Sequence, residues 1–269
     1  GTDESVMAWI FDTFSMNKGH SVLGVVTGKP LAIGGSLGRT GATSRGALFC
    51  IESVLREEGR GIEGVKVAIQ GAGKVGGNLA RMLTEEGALV VAISDSKGGL
   101  HAPDGLDVSS ALAYKGEHGT FEGFRGADAV TNDELLALPC DVLTPCALEQ
   151  VLTAENAHTV RARIICEGAN GPVTPGADEI LDDRGVVVLP DVLANAGGVV
   201  VSYFEWVQGL QEYFWREDEV NERLGEIVSR AFAETWEMRQ QHGTSMRTAA
   251  YGLAVRRVAE ASNTRGLYP

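Results

Sequence analysis

The amino-acid sequence predicts a doubly wound α/β fold, in which helices flank both faces of a mostly parallel sheet. Short apolar runs rich in β-branched residues alternate with segments of helical periodicity, as they do in repeated strand–helix–strand units. A glycine-rich turn at residues 71–76 joins the first such run to the helix after it. Glycine is also abundant overall, at 35 of 269 residues, without the three-residue period of collagen. These observations favour an α/β chain with tight turns between its strands and helices.

The first 65 residues are predicted to contain two helices separated by a glycine-rich loop. Thr2 or Asp3 is a suitable cap for the first helix. Its apolar face has helical spacing and comprises Val6, Met7, Ile10, Phe11 and Phe14. The loop spans residues 24–46, and the second helix runs to about Glu58 and stops at Gly59.

The middle of the chain supplies the predicted strands. The first strand is VKVAIQ from Val65, followed by a helix through Leu83 that ends near Gly87, and ALVVAIS is the second strand. Residues 94–105 are dense in turn formers and fit a hairpin. Further strands are predicted at Ala127–Val130, Asp141–Thr144, Arg163–Cys166 and Val186–Leu189.

The last part of the chain is predicted to be helical. A long helical zone extends from Leu189 to about Gln241, and Gly243 interrupts it before a final helix over residues 248–261. One face of the zone is predicted to be apolar along its second half: Val220, Leu224, Ile227, Ala231 and Thr235. The sequence thus divides into a helix and glycine-rich interdomain segment (1–45), a domain that contains the predicted strands (46–200) and C-terminal helices at a domain junction (201–269).

Composition excludes several classes of function. The chain has 23 Lys and Arg against 36 Asp and Glu, a net charge of −13, and this balance disfavours nucleic acid as a partner. An apolar run long enough for a membrane span and a signal peptide are both lacking, so we expect no membrane partner and a cytoplasmic location. The cysteines, Cys50, Cys140, Cys146 and Cys166, form no CxxC pair, which predicts free thiols and no metal site.

The turn at residues 71–76 has the G-x-G-x-x-G spacing of a dinucleotide-binding loop. The first glycine would make the tight turn, the second would let a pyrophosphate approach the backbone, and the third would let helix and strand pack closely. The pyrophosphate would then lie on free amides at the helix N-terminus. A tight turn without a ligand is the alternative. The residues predicted to bind the cofactor here are Gly71, Ala72, Gly73, Lys74, Val75 and Gly76. The fold is therefore predicted to be Rossmann-like, with residues 46–200 as the nucleotide-binding domain.

Asp95 follows the second strand and lies 24 residues after Gly71, where the pattern places an acidic residue. Its carboxylate would bond the adenosine ribose hydroxyls and repel a 2′-phosphate, which favours NAD over NADP. Ser94, Ser96 and Lys97 surround it and would instead hold that phosphate in an NADP enzyme. A turn residue that bonds its own loop is the third possibility for Asp95.

Four further segments resemble the family of glutamate, leucine, phenylalanine and valine dehydrogenases. They are TGKPLAIGGSLGRTGATSRG, CDVLTPCALE, CEGANGPVTPGAD and VLPDVLANAGGVVVSYFEW, and they are spread over nearly the whole chain. The combination of GGSLGR and ATSRG is most similar to the glutamate branch. The resemblance implies oxidative deamination of glutamate to 2-oxoglutarate and ammonia with NAD or NADP, and a parent enzyme that is a homo-hexamer.

The resemblance also implies roles for individual residues. Thr43 would contact the nicotinamide carboxamide, Asn170 the nicotinamide or its ribose, and Asn195 the meeting point of cofactor and substrate. Three residues would line the cofactor groove: Pro145, Cys146 and Ala147. Val199 and Ser202 would face the substrate side chain. The alternatives are a helix cap for Asn195, plain packing for Cys146 and plain core for Val199.

Two residues depart from the family pattern. Lys74 stands where asparagine is common, and its charge would favour additional phosphate; Thr144 replaces an aliphatic residue. The family's lysines for catalysis and for both substrate carboxylates are expected upstream of Gly1, so no catalytic residue is assigned in this chain and the chain alone is expected to be inactive. Another amino-acid dehydrogenase and a non-catalytic dinucleotide-binding module are the alternative functions.

Overall fold

A computed structural model describes residues 2–266, and within this range seven strands form one sheet. In chain order they are β1 (Lys66–Gln70), β2 (Leu89–Ser94), β3 (Gly99–His101), β4 (Asp128–Val130), β5 (Val142–Pro145), β6 (Ile164–Cys166) and β7 (Val187–Leu189). Their order across the sheet is β4-β3-β2-β1-β5-β6-β7. The central pairs are parallel, whereas β3 is antiparallel to both β2 and β4. The predicted fold class is confirmed.

The described range contains ten α-helices, which lie around this sheet. They are α1 (Glu4–Lys18), α2 (Ala42–Glu57), α3 (Lys74–Glu85), α4 (Val108–His118), α5 (Asn132–Leu136), α6 (Pro175–Asp183), α7 (Asp191–Ala194), α8 (Gly197–Gln211), α9 (Glu217–His242) and α10 (Met246–Arg265). None of the helices in the described range is both long enough and apolar enough to cross a membrane.

The core has one layer on each face because side chains of a strand point alternately to opposite sides. Val67 and Ile69 of β1 belong to a core cluster with residues of α2, α3, α8 and α9, whereas Ala68 belongs to a second cluster with residues of α5 and α6. Every residue of β1 after Lys66 is buried, and this explains why the strands read as apolar runs without alternation.

The order of the strands reverses direction at β1. The chain passes from β1 to β2 on one side and later places β5 on the other side. The carboxyl ends of β1 and β5 therefore border the crevice in which open α/β sheets bind ligands.

Most predicted elements are confirmed, with small shifts at their ends. Asp3, and not Thr2, caps α1 by accepting a hydrogen bond from the Val6 amide. The predicted hairpin is present as β2 and β3, which pair from Ser94 and Gly99 onward. The four later strands begin one residue after their predicted starts, and the last helix is longer at both ends than predicted.

The helical zone predicted from Leu189 to about Gln241 is confirmed, but it consists of three helices, because the chain breaks between α7 and α8 and again at residues 212–216. The side chain of buried Gln208 explains the second break. This side chain accepts a hydrogen bond from the Trp215 amide (2.8 Å), and the Gln208 backbone oxygen accepts one from the Tyr213 amide. Glu212 there adopts a left-handed conformation (φ 53°). The predicted apolar face of α9 packs against the core, with Ile227 and Ala231 partly buried, and it is wider than predicted because Val228 and Phe232 are buried as well.

The predicted domain limits fall inside helices. Residues 45 and 46 both lie in α2, and residues 200 and 201 both lie in α8. The larger core cluster contains residues from both sides of each limit, among them Ala42, Val67, Val201 and Val220. The division of the chain into three parts stays a prediction.

Candidate dinucleotide-binding site

The glycine loop lies between the end of β1 and the start of α3, as the sequence predicts. Gly71 has a left-handed backbone (φ 98°), and a Cβ there would lie 2.7 Å from the Cβ of Ala147. A Cβ on Gly76 would lie 1.9 Å from the Gly71 carbonyl oxygen. The chain's own packing therefore requires glycine at both positions.

Gly73 differs from its two neighbours in the motif. Its backbone is extended (φ −81°, ψ −161°), a conformation open to any residue. A Cβ built on it meets no atom within 4 Å. Packing among the described residues therefore gives no reason for glycine here, and the open space above the loop fits a ligand that approaches the backbone closely.

Side chains beneath the loop hold it in place. Ser94, at the end of β2, accepts a hydrogen bond from the Gly71 amide (3.2 Å) and donates one to the Asn132 side chain (2.7 Å). Asn132 in turn donates to the backbone oxygen of Asp95 (3.0 Å). Ser94 is fully buried, so its predicted alternative role as a ligand for a 2′-phosphate is wrong. The role of Asn132, the first residue of α5, was missed because it lies 38 residues from Ser94.

Asp95 is half-buried at the turn between β2 and β3. One carboxylate oxygen accepts from the Lys97 amide (2.8 Å) and the other from the Phe121 amide (2.9 Å). This is the turn geometry considered as an alternative, and each oxygen retains a lone pair for a further donor. Ser96 and Lys97 are exposed beside it.

The end of β5 and the residues that follow it face the glycine loop. Pro145 is buried, Cys146 is half-buried and Ala147 is exposed. Burial raises the pKa of Cys146 to about 12, so its side chain is a neutral thiol. A Cβ on Gly168 would lie 2.5 Å from the Cys146 sulfur, so this thiol packs against the loop that follows β6. Thr144 is buried, and its hydroxyl has no partner among the described residues.

Asn170 and Asn195 come together at the carboxyl end of β6. The Asn195 amide donates to the Asn170 side-chain oxygen (2.7 Å) and to the backbone oxygen of Ala169 (3.4 Å). Neither bond caps the helix that follows, so the capping alternative for Asn195 is wrong. The buried Glu167 and half-buried Asp191 hold the same loop, since Asp191 accepts from the Gly171 amide (2.8 Å) and Glu167 accepts from the Asp191 amide (2.7 Å).

Thr43 lies on α2 where this helix meets the start of α8. A Cβ on Gly198 would lie 2.6 Å from the Thr43 hydroxyl oxygen. One residue earlier, a Cβ on Gly197 would lie 2.0 Å from the Ala42 carbonyl oxygen, and a Cβ on Gly46 would lie 3.0 Å from the Gly197 backbone. The two helices thus meet backbone to backbone, and the glycines of ATSRG and NAGGV are the residues that allow it.

Val199 and Ser202 lie on the first two turns of α8. Val199 is 69% exposed, so the alternative of a core residue is wrong. The Ser202 hydroxyl donates to the Gly198 backbone oxygen within its own helix (3.0 Å). Neither observation assigns a substrate, and the roles of both residues stay predictions.

A cleft of ≈620 Å³ lies against the start of α3. Three predicted residues, Thr43, Lys74 and Val75, line it. Arg39 lines it as well, and the buried Nε of this side chain has no hydrogen-bond partner within the described range. Sequence reasoning did not select Arg39, although it stands in the quoted GGSLGR segment.

Lys29 also borders the cleft but is not free to act in it. Its ammonium group forms an ion pair with Glu205 of α8 (2.6 Å) and donates to the Val26 backbone oxygen (2.7 Å), and both charged side chains are buried. Glu205 also accepts a hydrogen bond from the Gly28 amide (2.8 Å). This cluster fixes the TGKP loop to α8. Within residues 2–266, no three His, Cys, Asp or Glu side chains are grouped in a way that would hold a metal ion.

Comparison with known proteins gives concordant results. Residues 34–266 match the family described as Glutamate/Leucine/Phenylalanine/Valine dehydrogenase. The chain is 49% identical to a glutamate dehydrogenase of Thermotoga maritima over all 269 of its residues, which correspond to 65% of that protein.

Two solved structures are also similar over the whole chain. A hetero-hexameric glutamate dehydrogenase from Thermus thermophilus, in a Leu-bound form, superposes with a TM-score of 0.93 at 39% identity, and this chain covers 64% of it. A glutamate dehydrogenase from Peptoniphilus asaccharolyticus superposes with a TM-score of 0.86 at 34% identity, again with 64% of that chain covered. The chain thus spans slightly less than two thirds of the relatives that it matches.

Proposed function

The chain belongs to the Glutamate/Leucine/Phenylalanine/Valine dehydrogenase family, and from this premise we propose that it forms the dinucleotide-binding part of a glutamate dehydrogenase. The whole enzyme would convert L-glutamate to 2-oxoglutarate and ammonia. The bound nicotinamide would supply the hydride acceptor, and the residues of this chain would bind and orient it. The open space above Gly73, in a turn with the spacing of a dinucleotide-binding loop, is the observation that carries the proposal, because the packing gives no reason for glycine there and leaves the backbone accessible to a pyrophosphate.

The proposed placement of the cofactor follows the edge of the sheet. Its pyrophosphate lies on the amides at the start of α3, where the first helical hydrogen bond joins the Gly77 amide to Gly73. The adenosine end extends towards Asp95, and the nicotinamide end towards Thr43, Asn170 and Asn195. Pro145, Cys146 and Ala147 line the groove between these ends.

We further propose that the preferred cofactor is NAD. A carboxylate at Asp95 repels a 2′-phosphate, and the burial of Ser94 removes one of the three side chains that would hold this group. Lys74 lines the cleft together with Arg39 and Thr43, so its charge acts on the pyrophosphate shared by NAD and NADP.

The 269-residue polypeptide by itself is proposed to bind the cofactor without oxidising glutamate. A catalytic lysine must be able to release its proton near the substrate. Of the two lysines that line the cleft, Lys29 is buried in its ion pair with Glu205, and Lys74 belongs to the proposed pyrophosphate site.

Binding and turnover are tested on the same preparation. NADH and NADPH are titrated by fluorescence, and NADH production is followed with glutamate present. We expect saturable binding that is tighter for NADH, and no turnover. Absence of binding to either cofactor would refute the dinucleotide site, tighter NADPH binding would refute the NAD assignment, and turnover would refute the expected inactivity.

A further inference from the structure

Arg247, in the first turn of α10, lies among three carboxylates from other parts of the fold. Its guanidinium contacts Glu167 through two nitrogens (2.5 and 3.2 Å). It also bonds Asp178 of α6 (3.1 Å) and lies 3.7 Å from Asp191 of α7. A single side chain therefore connects α10 with the loop after β6 and with two further helices.

Glu167 depends on this cation. Its side chain is fully buried at the end of β6, and a buried carboxylate without a positive partner is strongly unfavourable. Arg247 is the one basic side chain within salt-bridge distance of Glu167 in the described residues. Its two-pronged contact fixes both the position and the orientation of the Glu167 carboxylate.

Glu167 and Asp191 transmit this constraint to the loop at residues 168–171. Glu167 accepts a hydrogen bond from the Asp191 amide, and Asp191 accepts one from the Gly171 amide. The loop is thus fixed at its start by Glu167 and at its end by Asp191, both of which face Arg247.

Asn170 and Asn195 are both held by this loop and by Asp191. Asn170 lies inside the fixed loop. The backbone amide of Asn195 donates a hydrogen bond to the Asp191 backbone oxygen (3.0 Å), one helical turn earlier in the chain. The hydrogen bond between the two asparagine side chains (2.7 Å) therefore depends on the positions of Glu167 and Asp191, and Arg247 supplies the positive charge beside both carboxylates.

We propose that Arg247 is a positioning residue for the nicotinamide end of the dinucleotide site, acting through Glu167 and Asp191 on Asn170 and Asn195. The inference rests on the proposed function. Arg247 itself does not contact the cofactor in this proposal, and the glycine loop and the Asp95 turn do not depend on it.

The test compares two ligands that differ only at the nicotinamide end. NADH and ADP-ribose share the adenosine, pyrophosphate and second ribose, and ADP-ribose lacks the nicotinamide. For Arg247→Met, we expect NADH affinity to fall by about tenfold, the loss that one well-placed hydrogen bond accounts for, whereas ADP-ribose affinity is unchanged. Arg247→Lys keeps the charge but loses the two-pronged contact, and its NADH affinity should lie between those of Arg247→Met and the unaltered chain.

Arg257→Met is the matched control. Arg257 lies on the same helix, forms an ion pair with Glu234 of α9 and is more exposed, so its removal changes the net charge equally without touching the loop. We expect both affinities to be unchanged. Thermal unfolding gives the folded fraction of each variant, and Arg247→Lys decides the question if Arg247→Met does not fold.

The possible results separate the two proposals. Equal loss of NADH and ADP-ribose binding in a folded Arg247 variant would overturn the inference, as would unchanged NADH binding. Failure of the unaltered chain to bind either ligand would instead overturn the proposed function.

Discussion

At the level of single residues, the three glycines of the 71–76 loop differ in what a side chain would meet. Gly71 and Gly76 lie against protein atoms, at 2.7 and 1.9 Å from a built Cβ, whereas Gly73 faces open space. Substitution at these positions should therefore separate folding from binding.

Gly73→Ala is expected to fold normally and to lose cofactor affinity. The backbone there suits alanine, and its effect on the free energy of unfolding should stay within about 1 kcal/mol, since alanine is a poorer N-cap but restricts the unfolded chain. A methyl group in the pyrophosphate space should weaken NADH binding by roughly tenfold or more. Denaturant unfolding and NADH titration measure the two effects.

Gly76→Ala is the matched control and should behave in the opposite way. Its methyl group would collide with the Gly71 carbonyl, which cannot move without breaking the turn, so the free energy of unfolding should fall by about 2 kcal/mol or more. If Gly73→Ala binds NADH as well as the unaltered chain does, the pyrophosphate does not lie on this loop.

Asp95→Asn should change the choice between cofactors. The substitution removes the negative charge but keeps an oxygen that can accept from the Lys97 or Phe121 amide. NADH affinity should fall by about tenfold, at the lower end of the value of a charge-assisted hydrogen bond, while NADPH affinity should rise or stay the same. Titration of both cofactors measures the ratio.

Asp104→Asn controls for the change in net charge, since Asp104 is an exposed acid in the turn after β3. It should leave the ratio unaltered. Equal losses of NADH and NADPH binding in Asp95→Asn would show that Asp95 serves only its own turn.

The residues that sequence reasoning missed share one physical property. Asn132, Glu167, Glu205 and Arg247 act through partners 24 to 177 positions away along the chain. A local motif such as GAGKVG predicts its own geometry, because the strand, the turn and the helix that form it are adjacent in the sequence. A buried pair between distant segments leaves no local pattern, and only the folded arrangement brings its members together.

At the level of elements, local patterns predict the strands well and the helix ends less well. The apolar runs of β5, β6 and β7 are correct to within one residue at each end, because burial on both faces makes them continuous. The break after α8 could not be predicted from periodicity, since it depends on the buried Gln208 side chain taking the amide of Trp215.

The starts of β1 and β5 are joined by Asp141, and this junction should make stability depend on pH. The Asp141 carboxylate accepts from the Lys66 amide and from Arg60 (both 2.9 Å). Burial alone would raise its pKa, but these two partners and the charge of Arg163 outweigh burial and lower the pKa below its usual value. The carboxylate therefore stabilises the fold above its ordinary pKa, and this contribution is lost as pH falls through the lowered one.

Asp141→Asn should accordingly lower the free energy of unfolding at pH 7 by about 1 kcal/mol. The difference from the unaltered chain should begin to shrink below about pH 4, where the Asp141 carboxyl of the unfolded chain takes up a proton, and it should continue to shrink as pH falls through the lowered pKa of the folded chain. Urea unfolding between pH 7 and pH 3 measures this, with Asp128→Asn at the exposed start of β4 as the control. A difference that does not vary with pH would contradict the ionic origin of the effect.

At the level of the whole molecule, large apolar side chains are exposed on three helices. On α1 they are Trp9, Ile10, Phe14 and Met16; on α8, Val199, Tyr203, Trp206 and Leu210; and on α10, Tyr251, Val255 and Val258. No residue of α1 is buried in the described structure. Extended apolar surface of this kind favours association with other surfaces.

The isolated 269-residue chain is therefore expected to self-associate as its concentration rises. Light scattering after size-exclusion chromatography measures the mass at several concentrations. The double variant Trp9→Ser with Phe14→Ser should associate less, because it removes two exposed rings from α1, whereas Thr13→Ser on the same helix should not differ. A chain that stays monomeric at every concentration would contradict the expectation.

The contact between α2 and α8 also limits which sequences can keep this fold. Gly46 and Gly197 meet with no side chain between them, and a methyl group on Gly197 would lie 2.0 Å from the Ala42 carbonyl oxygen. A larger residue on one helix cannot be offset by a smaller one on the other, because both residues are already glycine and have no side chain to shorten. Other helix contacts can change in evolution when a larger residue on one helix is matched by a smaller residue on the other. At this contact any single substitution of a glycine by a larger residue would push the two helices apart. Since Thr43 and Asn195 lie beside the contact, the spacing between them is a dimension of the site that single substitutions cannot adjust without disturbing this helix contact.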